Sequence, residues 1–245
     1  FEVPALRSLF FVALDEHDLA VKRMQSFVTV QPGEVVSCAG CHEQRTDTPR
    51  SPAMATLAAL QRSPSGIQPI ADVPDVLDFP RDVQPILDQH CVNCHGGPTP
   101  DGKIDLSSAP SGHLVFMRSY YTLMTTPGLV AHGQDADGNR PPRSIGSSAS
   151  RLMATLEPAH FGVQLSATQR RLIRLWIETG AAYPGTCAAM EVPAAAYHVP
   201  EFRPNVHYVR EMKRYGILPA DFDSNAPLDV YATDQAYWRQ FWYRP

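Results

Sequence analysis

The 245 residues carry 21 Lys and Arg against 25 Asp and Glu, a net charge of −4 without basic or acidic runs, which excludes a surface built to neutralise nucleic-acid phosphates. At 44% hydrophobic residues the chain can bury one or two cores, but its longest apolar stretch, Leu9-Phe10-Phe11-Val12-Ala13-Leu14, is far too short to span a bilayer. Twenty-three prolines favour irregular connections over long helices or a large sheet, so the expected class is mainly α with large irregular content.

In chain order, residues 7–30 read as a β-hairpin, with branched and aromatic residues from Arg7 to Leu14, a polar Glu16-His17-Asp18 turn and an extended return from Val21 to Val30. Gln31-Pro32-Gly33 is a turn signal, and Cys38-Ala39-Gly40-Cys41-His42 follows it. A short helix is expected over 53–61, then a linker over 63–80 held open by Pro64, Pro69, Pro74 and Pro80. Val83, Ile86 and Leu87 have helical spacing and lead into Cys91-Val92-Asn93-Cys94-His95. After Gly96-Gly97-Pro98 the sequence predicts a short extended piece over 103–106, a helix over 114–124 and a Gly/Pro/Asp loop over 127–146. Ser148 or Ser150 can cap a helix through Leu156. Ser166 caps another, whose Leu172, Ile173, Trp176 and Ile177 form one apolar face and which Gly180 ends. From 188 the chain is rich in Pro, Tyr, Trp and Phe, too aromatic for disorder, and must pack on its own protein or a neighbour; it is expected as an extended arm with one helix over 206–215. Three segments result: 1–75, 76–187 and 188–245.

Five cysteines are too few for a disulfide scaffold, and four of them fall in two Cys-x-x-Cys pairs each followed by His, a coincidence that nine histidines cannot produce twice by chance. Residues i and i+3 of a helical turn lie on one side, so two thiols can reach the two vinyl groups of one porphyrin while the next residue puts an imidazole on its iron. Cys38, Cys41 and His42, and Cys91, Cys94 and His95, are therefore expected to hold two haem c groups. A four-cysteine zinc site would need closer pairs and leaves both histidines unexplained, and a thioredoxin-like pair expects a βαβ setting that is missing here. Cys187 stands outside any motif and reads as a free or buried thiol, or one that pairs between chains. Because covalent haem attachment is completed outside the bacterial cytoplasm, and because the chain starts at Phe1 as if a leader had been removed or as part of a longer chain, a periplasmic or extracellular location is expected.

The far-side ligand of the first haem is open among Met24, His17, His198 and His207, or a residue of a neighbouring chain. Asp135, Asp137 and Asn139 imitate the start of an EF-hand loop, but Gly138 is misplaced and Gly146 stands where a bidentate Glu is needed. Arg81, Arg118, Arg140, Arg143 and Arg151 are candidates to pair with haem propionates, Arg151 first because it follows a cap close to His160.

The Pro85-Ile86-Leu87 run ahead of the second motif, Ser148-Ala149-Ser150-Arg151-Leu152, and Leu175-Trp176-Ile177 before Gly180-Ala181 resemble the cytochrome c domains of planctomycete and related bacterial proteins over residues 80–187. More broadly, Val21-Lys22-Arg23-Met24-Gln25-Ser26, Pro32-Gly33-Glu34 leading into Ser37-Cys38, and His160-Phe161-Gly162-Val163-Gln164-Leu165 make the chain similar to the C-terminal dihaem half of the hydrazine synthase alpha subunit family. The resemblance implies two cytochrome c-like haem units. It also implies that His160 stands where typical class I cytochromes place a Met ligand, so that His95 and His160 would ligate the second iron at a lower potential than a His/Met pair; Met153 and Met124 are the fallback ligands. In that family the active-site haem is bound by a Tyr four residues after the motif His, and this chain has Thr46 there, a departure that favours two closed, electron-carrying haems. The expected function is an exported electron carrier with redox protein partners, within a homo-oligomer or larger haem complex, without nucleic acid or a membrane span. The competing reading is a haem enzyme, of hydrazine-synthase or peroxidase type, with one open iron.

Overall fold

The computed structural model describes residues 1–36, 46, 61–113, 116–133, 140–185 and 206–242. The first Cys-x-x-Cys-His motif, the expected helix over 53–61, the EF-hand-like residues 135–139, Cys187 and His198 lie outside the described residues. The described chain is mainly helical with one short antiparallel hairpin at its start.

That hairpin is β1 (Val12–Leu14) and β2 (Ala20–Arg23), in register Val12↔Arg23 and Ala13↔Lys22 with a bulge before Leu14. The expected arms of eight and ten residues shorten to three and four, prolonged by a bridge between Leu9 and Val28 and an amide of Leu6 donating to Val30. Asp15 closes the turn by accepting from the amides of His17 and Leu19, both at 2.9 Å. Asx-type turns of this kind replace ladder bonds, which is why the strands stop there.

Asp78 opens the next ordered run. A five-residue π-type turn (Phe79–Val83) leads into α1 (Gln84–His90). α2 is Arg118–Thr125, beginning later than the sequence pattern implies because the chain turns through Ser111 and His113 before Met117. α3 (Arg151–Thr155) starts after Ser150, whose hydroxyl does not cap it; that hydroxyl donates to the Gly146 carbonyl and accepts from the Ala131 amide, because Ser150 is buried against the preceding loop. α4 (Ala167–Glu178) forms as expected. Ser166 and Gln169 make a reciprocal capping box, and the left-handed Gly180 terminates the helix with its amide on Ile177 and the Ala181 amide on Trp176.

The core lies where the Phe79–Leu87 run crosses α4. Phe79, Val83, Leu87, Ile173, Trp176 and Ile177 are fully buried together, with Phe79 5.2 Å from Trp176 and 5.1 Å from Tyr120 between ring centres. The hairpin docks on the other side of α4. The buried Arg23 guanidinium donates to the carbonyls of Ile177 and His132, Ala20 donates to Ser147 Oγ, and Asp18 pairs with Arg171 and Arg174 at 3.3 and 3.1 Å.

The expected extended arm is instead helical over its described part: α5 (Val206–Arg214) and α6 (Val230–Trp242). Its aromatic residues pack on their own chain. The Tyr231 hydroxyl donates to Asp78 beneath the Arg81 guanidinium, Arg239 meets Asp75 at 2.6 Å, and Arg7 lies over Tyr237 and Trp238. Between α5 and α6, the Tyr208 hydroxyl donates to Asp234. None of the described helices is long and apolar enough to cross a membrane.

Asp78 accepts from Arg81 and Gly185 amides at 2.8 and 2.9 Å as well as from Tyr231, and replacing it by Ala orphans three donors at a site with no solvent access. Asp78→Ala should lose about 3 kcal/mol in urea unfolding. Asp15 gives a pH test. The Leu19 amide, aided by Arg143 at 2.8 Å, lowers its carboxyl to about 2. A depressed acid contributes stability that is complete above its unfolded value and lost as pH falls through the folded one. Asp78 runs the other way, since burial raises its pKa and its protonation favours the fold as pH falls. An acid titration of Tm should therefore show a limb between about pH 4 and 2 that disappears in Asp15→Asn.

Candidate cofactor site

The second motif continues α1 as one more helical turn. The Cys91 amide donates to Leu87 and the His95 amide to Cys91, both at 2.8 Å, so the two sulfurs and the imidazole project from successive positions of a tight coil. The chain then folds back on itself. A Cβ on Gly96 would lie 2.7 Å from the Val92 carbonyl oxygen, so only glycine allows this approach, and Gly97 takes the left-handed conformation that completes the turn.

The returning segment grips His95 at two points. His95 Nδ1 lies 3.1 Å from the Asp101 carbonyl, and the Leu106 amide donates to the His95 carbonyl at 2.7 Å. A carbonyl facing Nδ1 accepts a hydrogen bond from an Nδ1–H, which keeps the proton there and leaves the lone pair on Nε2, the tautomer of an imidazole that ligates a metal through Nε2.

His160, at the end of the loop after α3, is brought to the same place. Its ring is parallel to that of His95 within 9° at a centre-to-centre distance of 6.1 Å, and both residues are half-buried. Two imidazoles that share one metal atom need about 2 Å of bond and about 1 Å from nitrogen to ring centre each, a span of about 6 Å. The separation of the two rings matches that span, and if a haem were held here His95 and His160 would be its histidine ligands. Among the described residues no group of three or more His, Cys, Asp and Glu gathers as an all-protein metal site. The backbone places His160 firmly: its amide donates to Glu157, while Phe161 and Gly162 both take left-handed φ in the turn that follows.

The sulfurs differ in setting. Cys91 is half-buried at the margin of the core, and burial, then the neighbouring Cys94, pushes its thiol up to about 11; Cys94 is exposed and neither forms a disulfide.

The other expected site residues make contacts of their own. Arg151 is exposed, with Nη2 donating to the Pro127 carbonyl at 2.8 Å, so it braces the loop before α3. Met153 and Met124 are half-buried on α3 and α2 as core packing. Of the ligands considered for the first haem, His17 is exposed at the hairpin turn, Met24 is half-buried just after β2, and His207 is exposed at the start of α5; their relation to Cys38, Cys41 and His42 lies outside the described residues. The sequence reading missed the Asp101 carbonyl and Gln84. The first is backbone and has no residue signature, although Gly96-Gly97 marks the reversal that delivers it. Gln84 is polar within a helical apolar run, the one visible signal.

Residues 1–43 match the hydrazine synthase alpha subunit middle domain family, a span that holds the hairpin and, in sequence, the first motif. The similarity of this chain to that family extends over those 43 residues. No curated protein and no solved structure matches the chain.

In the unloaded polypeptide, Cys94 should be alkylated by iodoacetamide at pH 7.5 at least about tenfold faster than Cys91, because the thiolate is the nucleophile and Cys91 holds its proton. Peptide mass mapping over time reads the two rates.

Proposed function

We propose that the chain is an exported dihaem c-type cytochrome that carries electrons between redox partners. The observation that carries this reading is the His95–His160 pair, parallel and 6.1 Å apart, directly after Cys91 and Cys94 and with His95 Nδ1 on the Asp101 carbonyl. Cys91 and Cys94 hold the second haem through thioethers, with His95 and His160 as its axial ligands. Cys38, Cys41 and His42 hold the first by the same sequence logic. Haem c, when bound, supplies one-electron exchange at iron; the polypeptide supplies ligands, burial and spacing. Two histidine ligands on the second iron leave it no open position, which suits transfer and disfavours substrate binding there.

The organisation that goes with this reading is a first haem unit in 1–75, a cytochrome c-like second unit in 76–187 and an aromatic packing region in 188–245. The location is periplasmic or extracellular, and the partners are redox proteins, in a homo-oligomer or a larger haem complex.

A second reading has one observation in its favour, the match of residues 1–43 to the hydrazine synthase alpha subunit middle domain. On that reading the first haem keeps an open iron and the protein is an enzyme of nitrogen or peroxide chemistry. Thr46, in place of the tyrosine whose binding leaves a reactive face on such a haem in that family, weighs against it.

A pyridine haemochrome assay on protein from a cytochrome c maturation host should count two covalent haems per chain, and acid extraction should release neither. Both should be low-spin and unmoved by cyanide in the carrier; a high-spin signal that shifts on adding cyanide supports the enzyme. His160→Met should raise the potential of one haem and leave the other in place. If that substitution changes neither spectrum nor potential, the ligand assignment is wrong.

A further inference from the structure

We infer that Gln84 is a positioning residue for His95: its buried side-chain amide fixes the segment that clasps the ligand, and through that segment it tunes the reduction potential of the second haem. The inference rests on haem attachment at Cys91 and Cys94 and adds a residue seven positions before the motif.

Gln84 sits in the first turn of α1 with almost no solvent exposure, among Val83, Ile86 and Leu87, where an apolar residue would pack without unmet polar atoms. Buried polar groups persist where hydrogen bonds satisfy them, and those of Gln84 are all committed. Nε2 donates to the Leu106 carbonyl at 3.1 Å and to Asp88 at 2.8 Å, and Oε1 accepts from the hydroxyl of Ser119, a residue with no exposure on α2.

The Leu106 bond is the one with reach. Leu106 offers its carbonyl to Gln84 and its amide to the His95 carbonyl, so one residue joins α1 to the ligand's own backbone. Five residues earlier, the Asp101 carbonyl faces His95 Nδ1. Between them, Gly102 and Lys103 both take left-handed φ, and the Ile104 amide returns to Asp101. This is a short, conformationally costly bridge whose far end Gln84 holds. The Ser119 amide holds the next part by donating to Ser107. Releasing Leu106 therefore loosens the Asp101 carbonyl against Nδ1. A weaker bond there makes the imidazole a poorer donor to iron, which disfavours the ferric state and raises the potential.

Gln84→Met keeps length and volume and removes the amide. Its second haem, identified as the one that moves in His160→Met, should show a rise in potential that changes the oxidised-to-reduced ratio at fixed poise by at least about threefold, roughly 30 mV at 59 mV per decade. Hydrogen exchange of the His95 and Leu106 amides should quicken along with it. Ser119→Ala with Asp88→Asn strips or weakens the amide's other contacts and leaves the Leu106 bond; it should lower stability without shifting the potential. A Gln84→Met protein that is less stable but has an unchanged potential makes Gln84 structural only and overturns the inference, as does a shift in the Ser119/Asp88 variant. Where Gln84→Met does not accumulate, Gln84→Leu, which also removes the donor to Leu106, is read in the same way: a raised potential supports the inference and an unchanged one overturns it. Failure to find covalent haem at Cys91 and Cys94 in the parent protein overturns the proposed function instead, and the two failures are distinct.

Discussion

Everything described depends on one fully buried carboxylate. Asp78 has no solvent access, yet it receives the amide of Arg81 at the start of the Phe79–Leu87 run, the amide of Gly185 beyond α4, and the hydroxyl of Tyr231 on α6. These are three segments far apart in sequence, gathered on two oxygen atoms. Without that convergence Phe79 has no fixed position against Trp176, and without Phe79 the helix that delivers Cys91 has no fixed position against α4. Burial alone would drive the carboxyl toward neutrality, and the donors oppose it, so the group is held by hydrogen bonds and by the Arg81 charge more than by solvation. A Cβ on Gly185 would lie 2.5 Å from the Leu77 carbonyl, so the approach of this segment to Asp78 is possible for glycine alone.

The same pattern recurs around the histidine pair. Neither His95 nor His160 is oriented by its own helix. His95 is held by a loop that doubles back from Gly96, and His160 by a turn closed with Phe161 and Gly162 in left-handed φ. Loops are usually poor scaffolds for a site that needs fixed geometry. Here they are clamped from outside, by Gln84 and Ser119 on one side, and by Arg170 paired at 3.4 Å with Glu157 on the other. The exposed Arg170–Glu157 pair contributes little energy, so the backbone bonds set the position of His160.

How far the sequence carries can be judged on particular residues. α4 was legible from end to end, because Ser166, Gln169, the Ile173/Trp176/Ile177 face and Gly180 are all local signals for one helix. The motif at 91–95 was legible as chemistry, and its partner His160 only by resemblance, since nothing in the residues around it encodes a distance to His95. α6 was missed although local signals were present: Tyr231, Trp238 and Trp242 recur at helical spacing, and Asp229 accepts from the Tyr231 and Ala232 amides just ahead of the helix. Ser150 misled for another reason: a serine before a helix is a cap only when no buried carbonyl competes for its hydroxyl, and Gly146 competes.

The half-burial of Cys91 bears on the thiol chemistry of the folded polypeptide. Two thiols three residues apart can close an internal disulfide wherever an oxidant is present. Either order of oxidation passes through the same species. If Cys94 is oxidised first, Cys91 must attack it as a thiolate; if Cys91 goes first, it must already be one. With its thiol pushed up to about 11, Cys91 is ionised in only about one molecule in ten thousand at neutral pH. Closure is slowed on both routes by that one depleted anion, so the folded chain holds both thiols in the reduced form.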